Sequence, residues 1–332
     1  MDELLAGLRA AAEATRIRIL FILSHGEFNV SELTQILGQS QPRVSRHLKL
    51  MAEADLLTRH KEGNWVLFRL REDSMGGALA RAIVDLLPGN DHLLARDSAR
   101  LDGIKAHRTE IASRYFSSNA ARWESIRSLH VREEDVEQAM LRLAEHNAIG
   151  LHLDLGTGTG AMLRHFAPRA VQSIGIDSSR EMLAIARAGL ESGKLRQAQV
   201  RHGDIYALPF ANATADFITI HQVLHYLDDP GRALAEAARV LKSGGRLLIA
   251  DFAPHDLEAL RTEHAHRRLG ISGEHMTGWL QRTGLRQVRH EILPPPPRED
   301  RTGLTVSLWL AEKPADAAAL PHPSLAELDH AE

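Results

Sequence analysis

The chain has 332 residues, 44% of them hydrophobic and 25% charged, with a net charge of -3, which is length enough for two domains with real cores. It contains no cysteine, and this excludes disulfides, thiolate zinc sites and any thiol nucleophile. There is no run of about 18 apolar residues and no basic segment ahead of an apolar stretch after Met1-Asp2-Glu3, so a soluble, cytoplasmic protein without membrane contact is expected. The charge is uneven: between Gln41 and Arg71 seven Lys/Arg face three acids, so one face can attract a polyanion.

In chain order, Ala12 to Leu23 is apolar at helical spacing and stops at His25-Gly26. Asn29-Val30-Ser31-Glu32-Leu33 opens a short helix through Leu37 that ends at Gly38. Ser40 or Gln41 then caps a third helix with Pro42 in its first turn, which is helix-turn-helix spacing. In that third helix Val44, Leu48 and Met51 share one face, and Ser45, Arg46 and Lys49 project from another, giving a buried side and a basic reading side. Leu56 to Leu70 alternates as two strands around Glu62-Gly63-Asn64, a hairpin wing carrying Arg59, His60 and Lys61.

The stretch Ser40-Gln41-Pro42-Arg43-Val44-Ser45-Arg46-His47-Leu48-Lys49-Leu50-Met51, followed by Ala54-Asp55-Leu56-Leu57, resembles the ArsR/SmtB family of winged-helix regulators, and the likeness covers about residues 5 to 87. The resemblance implies a double-stranded DNA operator contacted through Gln41, Arg43, Ser45, Arg46, His47, Lys49, Arg59 and Lys61. It also implies a homodimer, paired through the first helix and a Ser74–Leu87 helix, that sets two recognition helices in successive major grooves. A winged helix used only for protein contact is the blander alternative; charge on both recognition helix and wing favours DNA. Metal sensing is not expected. Where the family carries a Cys-x-Cys pair this chain reads Phe28-Asn29-Val30-Ser31-Glu32-Leu33, and Asp85, Asp91, His92 and Asp97 have no ligand spacing.

Pro88-Gly89-Asn90 ends the first domain, and Asp91 to about Ser118 reads as a long charged helix. Val136 to His146 supplies a further helix before a strand that ends in His152-Leu153-Asp154-Leu155-Gly156-Thr157-Gly158-Thr159-Gly160. Such a strand, tight turn and helix start grips a nucleoside cofactor, glycines serving where φ is positive or the backbone must touch the ligand. Alone, the loop also fits a dinucleotide pattern, since Gly156, Gly158 and Ala161 satisfy G-x-G-x-x-[GA]. Val171 to Asp177 reads as the second strand and ends in a carboxylate placed for ribose hydroxyls. Val200 to Ile205, Leu208-Pro209-Phe210, Ala215 to Ile220 and Val223-Leu224-His225-Tyr226-Leu227-Asp228-Asp229-Pro230 follow. This order resembles class I S-adenosylmethionine (SAM) dependent methyltransferases, above all the ubiquinone/menaquinone branch. That likeness implies Gly156, Thr157, Gly158 and Gly160 around the methionine moiety and Asp154 facing its amino group. It puts Asp177 and Ser178 on the ribose, Asp204 and Ile205 on the adenine, and His221 nearby. Asp154 and Asp177 as mere helix caps remain the alternative. Tyr115-Phe116, Trp123 and Arg127-Ser128-Leu129-His130 lie where related enzymes place helices over the cofactor.

A helix from Gly231 to Leu241, a strand from Arg246 to Phe252, and antiparallel strands Gln287–Leu293 and Leu304–Leu310 close the domain. His221, His225 and Tyr115 are the candidate catalytic groups; His264 and His266, two apart, point to different faces and are read as surface groups rather than metal ligands. Arsenite methylation is excluded by the missing thiols. The expected fold is thus a winged helix-turn-helix (1–87), a helical linker (88–118), an α/β doubly wound, Rossmann-like methyltransferase domain (119–313) and a disordered tail (314–332). The expected function is a transcriptional regulator whose methyltransferase-like domain binds SAM or S-adenosylhomocysteine (SAH) and modulates operator binding. The alternative is an active small-molecule methyltransferase with an autoregulatory DNA-binding domain.

Overall fold

The computed structural model describes residues 1–62, 65–71, 74–123, 126, 132–144, 148–295 and 303–315. The chain opens with two helices, α1 (Asp2–Ala11) and α2 (Ala14–Leu23), where one was expected from Ala12. Glu13 separates them: it is extended and its carboxylate accepts the Arg16 N–H at 3.1 Å, capping α2. α3 (Val30–Leu37) carries a complete capping box, Asn29 and Glu32 each accepting the other's backbone N–H, and ends at Gly38 with φ +64°; such a cap contributes about 1 kcal/mol. α4 (Gln41–Glu53) begins with Pro42 in its first turn. The wing strands β2 (Leu57–Glu62) and β3 (Trp65–Leu70) pair antiparallel, joined by a two-residue strand β1 (Phe28–Asn29) too short to leave a periodic signal. α5 (Met75–Asp85) completes this unit. Its core gathers Ile19, Leu20, Phe28, Leu33, Ile36, Val44, Leu48 and Met51, all buried.

The expected linker is a 28-residue helix, α6 (His92–Asn119), and its first half belongs to the winged-helix core. Leu101 is buried in that core. Asp97 is fully buried and paired with Arg18 of α2 at 2.5 and 2.7 Å, while Arg18 and Arg100 donate to the carbonyls of Leu37 and Ile36 at the end of α3. An ion pair so enclosed costs about 3–5 kcal/mol to break from one side, so α6 is held in register against α2 and α3.

After α7 (Glu133–Leu143), the remaining chain builds a seven-stranded sheet in the order β6-β5-β4-β7-β8-β10-β9. β4 (Ile149–Leu155), β5 (Ala170–Asp177), β6 (Ala198–His202), β7 (Ala215–His221) and β8 (Leu241–Phe252) run parallel. β10 (Val306–Glu312) enters antiparallel between β8 and β9 (Arg286–Leu293). Helices α8 (Ala161–Phe166), α9 (Arg180–Ser192), α10 (Pro230–Val240), α11 (Ala259–Glu263) and α12 (Gly273–Arg282) make the crossovers. The central parallel strands β4, β7 and β8 are largely apolar where both faces are covered, with Leu153, Ile218 and Ile249 on one side and Phe217, Leu248 and Ala250 on the other. The strand order reverses between β4 and β7, and ligands of such sheets bind outside the carboxyl ends of the strands at that point. Among the described residues no helix is long and apolar enough to cross a membrane. The expectations for Gly63-Asn64, Arg127-Ser128-Leu129-His130 and the tail beyond residue 315 lie outside the described residues.

Candidate cofactor site and nucleic-acid interface

β4 delivers the loop at the switch point. Gly156, Gly158 and Gly160 have φ of +71°, +52° and +80°, conformations that favour glycine. A Cβ on Gly156 would fall 2.4 Å from the Val223 side chain, whereas one on Gly158 would have its nearest neighbour, the Trp123 indole, at 3.6 Å. Beneath the loop lies a buried polar chain. Asp154 accepts the hydroxyls of Thr157 (2.6 Å) and Thr219 (2.7 Å). Because Thr219 spends its proton on Asp154, the 2.9 Å contact from His152 Nε2 must be an N–H donated to the Thr219 oxygen. Burial pushes His152 down to about 3, so it is neutral in this setting. Asp177, at the tip of β5, accepts the N–H groups of Gly158 and Ser179, both at 2.8 Å; burial raises its pKa against those amide donors.

These residues surround a cavity of about 520 Å³, within the usual range for a small-molecule site. Asp154, Gly156, Thr157, Gly158, Asp177, Ser178, Asp204, Ile205 and His221 all line it. Gly160 does not; it faces away, toward Ala186 of α9. The roof is the second half of α6, through Arg108, Ala112, Ser113 and Phe116, with Trp123 beyond it. Carboxylates, apolar walls (Ile176, Met182, Ile205) and aromatic faces (Phe116, Trp123, Tyr226) suit a nucleoside carrying a charged amino-acid arm. A pyrophosphate is poorly served, since the Gly158 N–H already meets the Asp177 carboxylate. SAM fits this lining, and its chemistry is an electrophilic methyl group. Gln222 also lines the cavity, left-handed at φ +55° where β7 ends, with its amide donating to Glu133 at 3.1 Å. Nothing in the sequence singles it out, because strain at one position leaves no compositional mark.

Two catalytic candidates fall elsewhere. His225 lines a smaller neighbouring cavity, together with His264 and His266, which the chain brings onto one wall despite their spacing. The intervening Ala265 is left-handed (φ +56°), so this segment is not helical and helical spacing does not apply. The Tyr115 hydroxyl lines neither cavity and contacts His264 Nδ1 at 2.7 Å; burial pushes its pKa up to about 12, so it keeps its proton.

Arg108 is the group that sequence reading missed. Spaced among charged neighbours on a long helix it looks like a solvated residue, yet it is 9% exposed. It meets Glu32 of α3 (Nε, 3.1 Å) and Asp228 of the cavity wall (2.9 Å) at once. Arg267 shares Asp228 at 2.9 Å, and Arg268 reaches Glu27, beside β1, at 2.6 Å, with Arg69 of β3 3.8 Å from the same carboxylate. On α4, Gln41, Arg43, Ser45, Arg46 and Lys49 are exposed, as are Arg59 and Lys61 on β2. His47 does not join them: it is turned toward Glu13 Oε2 at 3.9 Å, and burial lowers its pKa.

Residues 13–59 match the family model described as bacterial regulatory protein, arsR family, and residues 153–249 match a methyltransferase domain. The chain is 32% identical over 142 residues to the uncharacterized methyltransferase YcgJ of Bacillus subtilis, covering 42% of this chain and 55% of YcgJ. It is 31% identical over 178 residues to the demethylmenaquinone methyltransferase of Thermobifida fusca, covering 54% of this chain and 70% of that protein. A Haloferax volcanii putative methyltransferase, solved in complex with the Trm112 methyltransferase activator, shares the fold with a TM-score of 0.50 at 22% identity, over 60% of this chain and 97% of that one. The chain thus spans about half the length of the first of these relatives. With a glycine loop, strand-end carboxylate and sheet order in agreement, this chain belongs to the SAM-dependent methyltransferase family, its methyltransferase domain preceded by an ArsR-type DNA-binding domain.

Proposed function

We propose that this chain is a DNA-binding transcriptional regulator in which SAM or SAH, held by the methyltransferase domain, sets the affinity of the winged helix for its operator. The observation that carries this reading is Arg108: one guanidinium lines the cofactor cavity and pairs with Glu32 at the start of the helix-turn-helix. A ligand can shift DNA affinity only through a difference in its contacts with two states of the protein, and Arg108 gives such a difference a short path. Residues 1–87 would act as the DNA-reading unit and 119–313 as the cofactor unit, in a homodimer acting in the cytoplasm, where its operator is. Asp154, Gly156, Thr157, Gly158, Asp177 and Ser178 would hold the amino-acid arm and ribose, and Asp204 with Ile205 the adenine.

The test is a fluorescence-anisotropy titration of a duplex selected by the protein from a random pool, alone and with saturating SAM or SAH. SAH is expected to shift affinity by about 5–150-fold, with SAM weaker or opposite because it adds a methyl and a charge. Asp177→Ala is expected to abolish the response and leave ligand-free DNA binding intact. No response to either ligand in the wild type would refute the regulatory reading. A second reading, methyl transfer to a small molecule by the same domain, is favoured by the buried His225–Asp251 contact beside the cofactor cavity.

A further inference from the structure

One wall of the cofactor cavity carries a row of alternating charges. Arg108 donates from Nε to Glu32 at 3.1 Å and from Nη1 to Asp228 at 2.9 Å, and its Nη2 also meets Glu32. That guanidinium is spent on two carboxylates. Arg267 then donates from Nε to the same Asp228 oxygen at 2.9 Å. The row Glu32, Arg108, Asp228, Arg267 runs minus, plus, minus, plus, and there it stops: among the described residues the Nη groups of Arg267 have no acceptor. With Nε in use, what remains is the outer edge of the guanidinium, which can pair a carboxylate through two parallel bonds. Burial, and next the charge of Arg108, pull the Arg267 pKa below the ordinary arginine value, as happens to an enclosed cation short of counter-charge. Its main chain is fixed on both sides, the N–H by the His225 carbonyl (2.9 Å) and the carbonyl by Arg261 Nη1, so the group is held ready for a ligand.

The Arg267 side chain is 19% exposed and lines the cofactor cavity, so a solute in the cavity can reach it. The residues assigned to the cofactor stand at the ends of β4 and β5 and just past β6, whereas Arg267 follows β8. The sheet order sets β5 and β6 on one side of β4 and β7 and β8 on the other. Besides the cofactor's contacts, the cavity wall thus includes a cationic edge and the apolar side chains of Phe116, Val223 and Leu227. We propose that Arg267 binds the carboxylate of a second small molecule, an organic acid with an apolar body, held in the cavity beside the cofactor. The acid extends the charge row by one member and gives Arg267 the two-carboxylate setting that Arg108 already has. A neutral molecule of the same shape leaves the charged donors unmatched, which costs affinity in a site shielded from water. This inference rests on the cofactor reading of the cavity and is independent of DNA binding.

The probes are benzoate and its neutral isostere benzamide, titrated by NMR into the full-length protein loaded with SAH. Benzoate is expected to bind at least about 10-fold more tightly than benzamide, because forked, charge-assisted pairs are the strong ones. In Arg267→Gln that preference should fall below about 3-fold, and Arg267→Lys, a point charge without the fork, should fall between the two. A readout on the wild type needs no variant. Phenylglyoxal, which attacks guanidinium nitrogens, should modify Arg267 in the SAH-loaded protein, as mass spectrometry of a digest would locate, and benzoate but not benzamide should protect it. No benzoate preference, a preference undiminished in Arg267→Gln, or no protection overturns the site. Protection by SAH alone, without benzoate, that 5′-methylthioadenosine fails to give for want of the amino-acid arm, assigns the carboxylate to the cofactor and overturns the second ligand. Calorimetry with SAH separates the remaining failures: SAH bound without a benzoate preference removes only this site, whereas no SAH binding removes the cofactor reading with it.

Discussion

Replacing Glu32 by Gln tests the junction without dismantling helix α3. Gln can take the same place in a capping box, so the 3.0 Å bond from the Asn29 N–H keeps an acceptor, and what disappears is the charge opposite Arg108. The side chains of Arg108 and Glu32 are 8% and 16% exposed, so solvent screens their attraction little. A charge-assisted hydrogen bond in such a place is worth about 1.5–3 kcal/mol. That equals the whole of a typical coupling free energy, about 1–3 kcal/mol. If this contact carries the signal, the SAH response of Glu32→Gln should shrink from about 5–150-fold to less than about 3-fold, with SAH affinity in the absence of DNA nearly unchanged. The assay is operator anisotropy at one fixed salt concentration, because DNA affinity varies steeply with salt. Calorimetry of SAH with and without operator must return the same factor, since coupling is reciprocal. A Glu32→Gln protein that binds operator normally and responds in full to SAH would remove this ion pair from the route.

On the DNA side, Arg46→Ala or Ser45→Ala should relax base discrimination by about 1–3 kcal/mol, while Lys61→Ala should weaken all sequences alike and lower the salt slope by about one unit; unchanged affinity in all three speaks against α4 and the wing as the reading surface. In the glycine loop, Gly156→Ala should cut both stability and SAH affinity, since its Cβ meets Val223 at 2.4 Å. Gly158→Ala should cost stability only the backbone penalty of about 1–2 kcal/mol, while its Cβ enters the space of the cofactor cavity that Gly158 lines; equal stability losses for the two variants in urea melts would contradict that ordering. Burial lowers His152 from 6.5 to about 3, so the unfolded chain binds the proton that the folded one refuses. The resulting stability is complete above pH 6.5 and is lost as pH falls toward 3, by up to about 5 kcal/mol; urea midpoints of His152→Asn should be flatter across that window than those of the wild type.

Much of the architecture was legible because its signals are local. The Asn29/Glu32 box, Gly38, Pro42 and the glycine run each fix a backbone conformation within a few residues, and the helices and strands follow where those signals stand. What escaped reading is long-range. Arg108 and Glu32 are 76 residues apart, and Arg268 and Glu27 are 241 apart; no periodicity marks either pair. His225 was visible as a candidate group and Asp251 only as one residue of the strand from Arg246 to Phe252, and their contact depends on β7 and β8 lying side by side. The inward turn of His47 likewise depends on Glu13 of another helix, so its place in a basic run was misleading. The break between α1 and α2 is a different case: Glu13 as an N-cap competes with an apolar pattern that continues through it.

The position of α6 bears on how a signal could cross the molecule. A spacer would let each domain relax alone, and ligand-induced movement of the roof would dissipate in it. A helix of 28 residues spans about 42 Å at 1.5 Å per residue, and this one is embedded at both ends. Asp97 and Leu101 lie inside the winged-helix core, and Phe116 packs with Trp123 and Tyr226 at the cavity. Packed interiors shift between discrete arrangements and do not deform smoothly, so in the regulatory reading a change in the roof moves α6 as a rod against α2 and α3. The Arg18–Asp97 pair would then act as the pivot and Arg108 as the point of force. On that account, weakening the pivot should loosen the DNA unit whatever the ligand, whereas weakening Arg108's partners should silence only the ligand's effect.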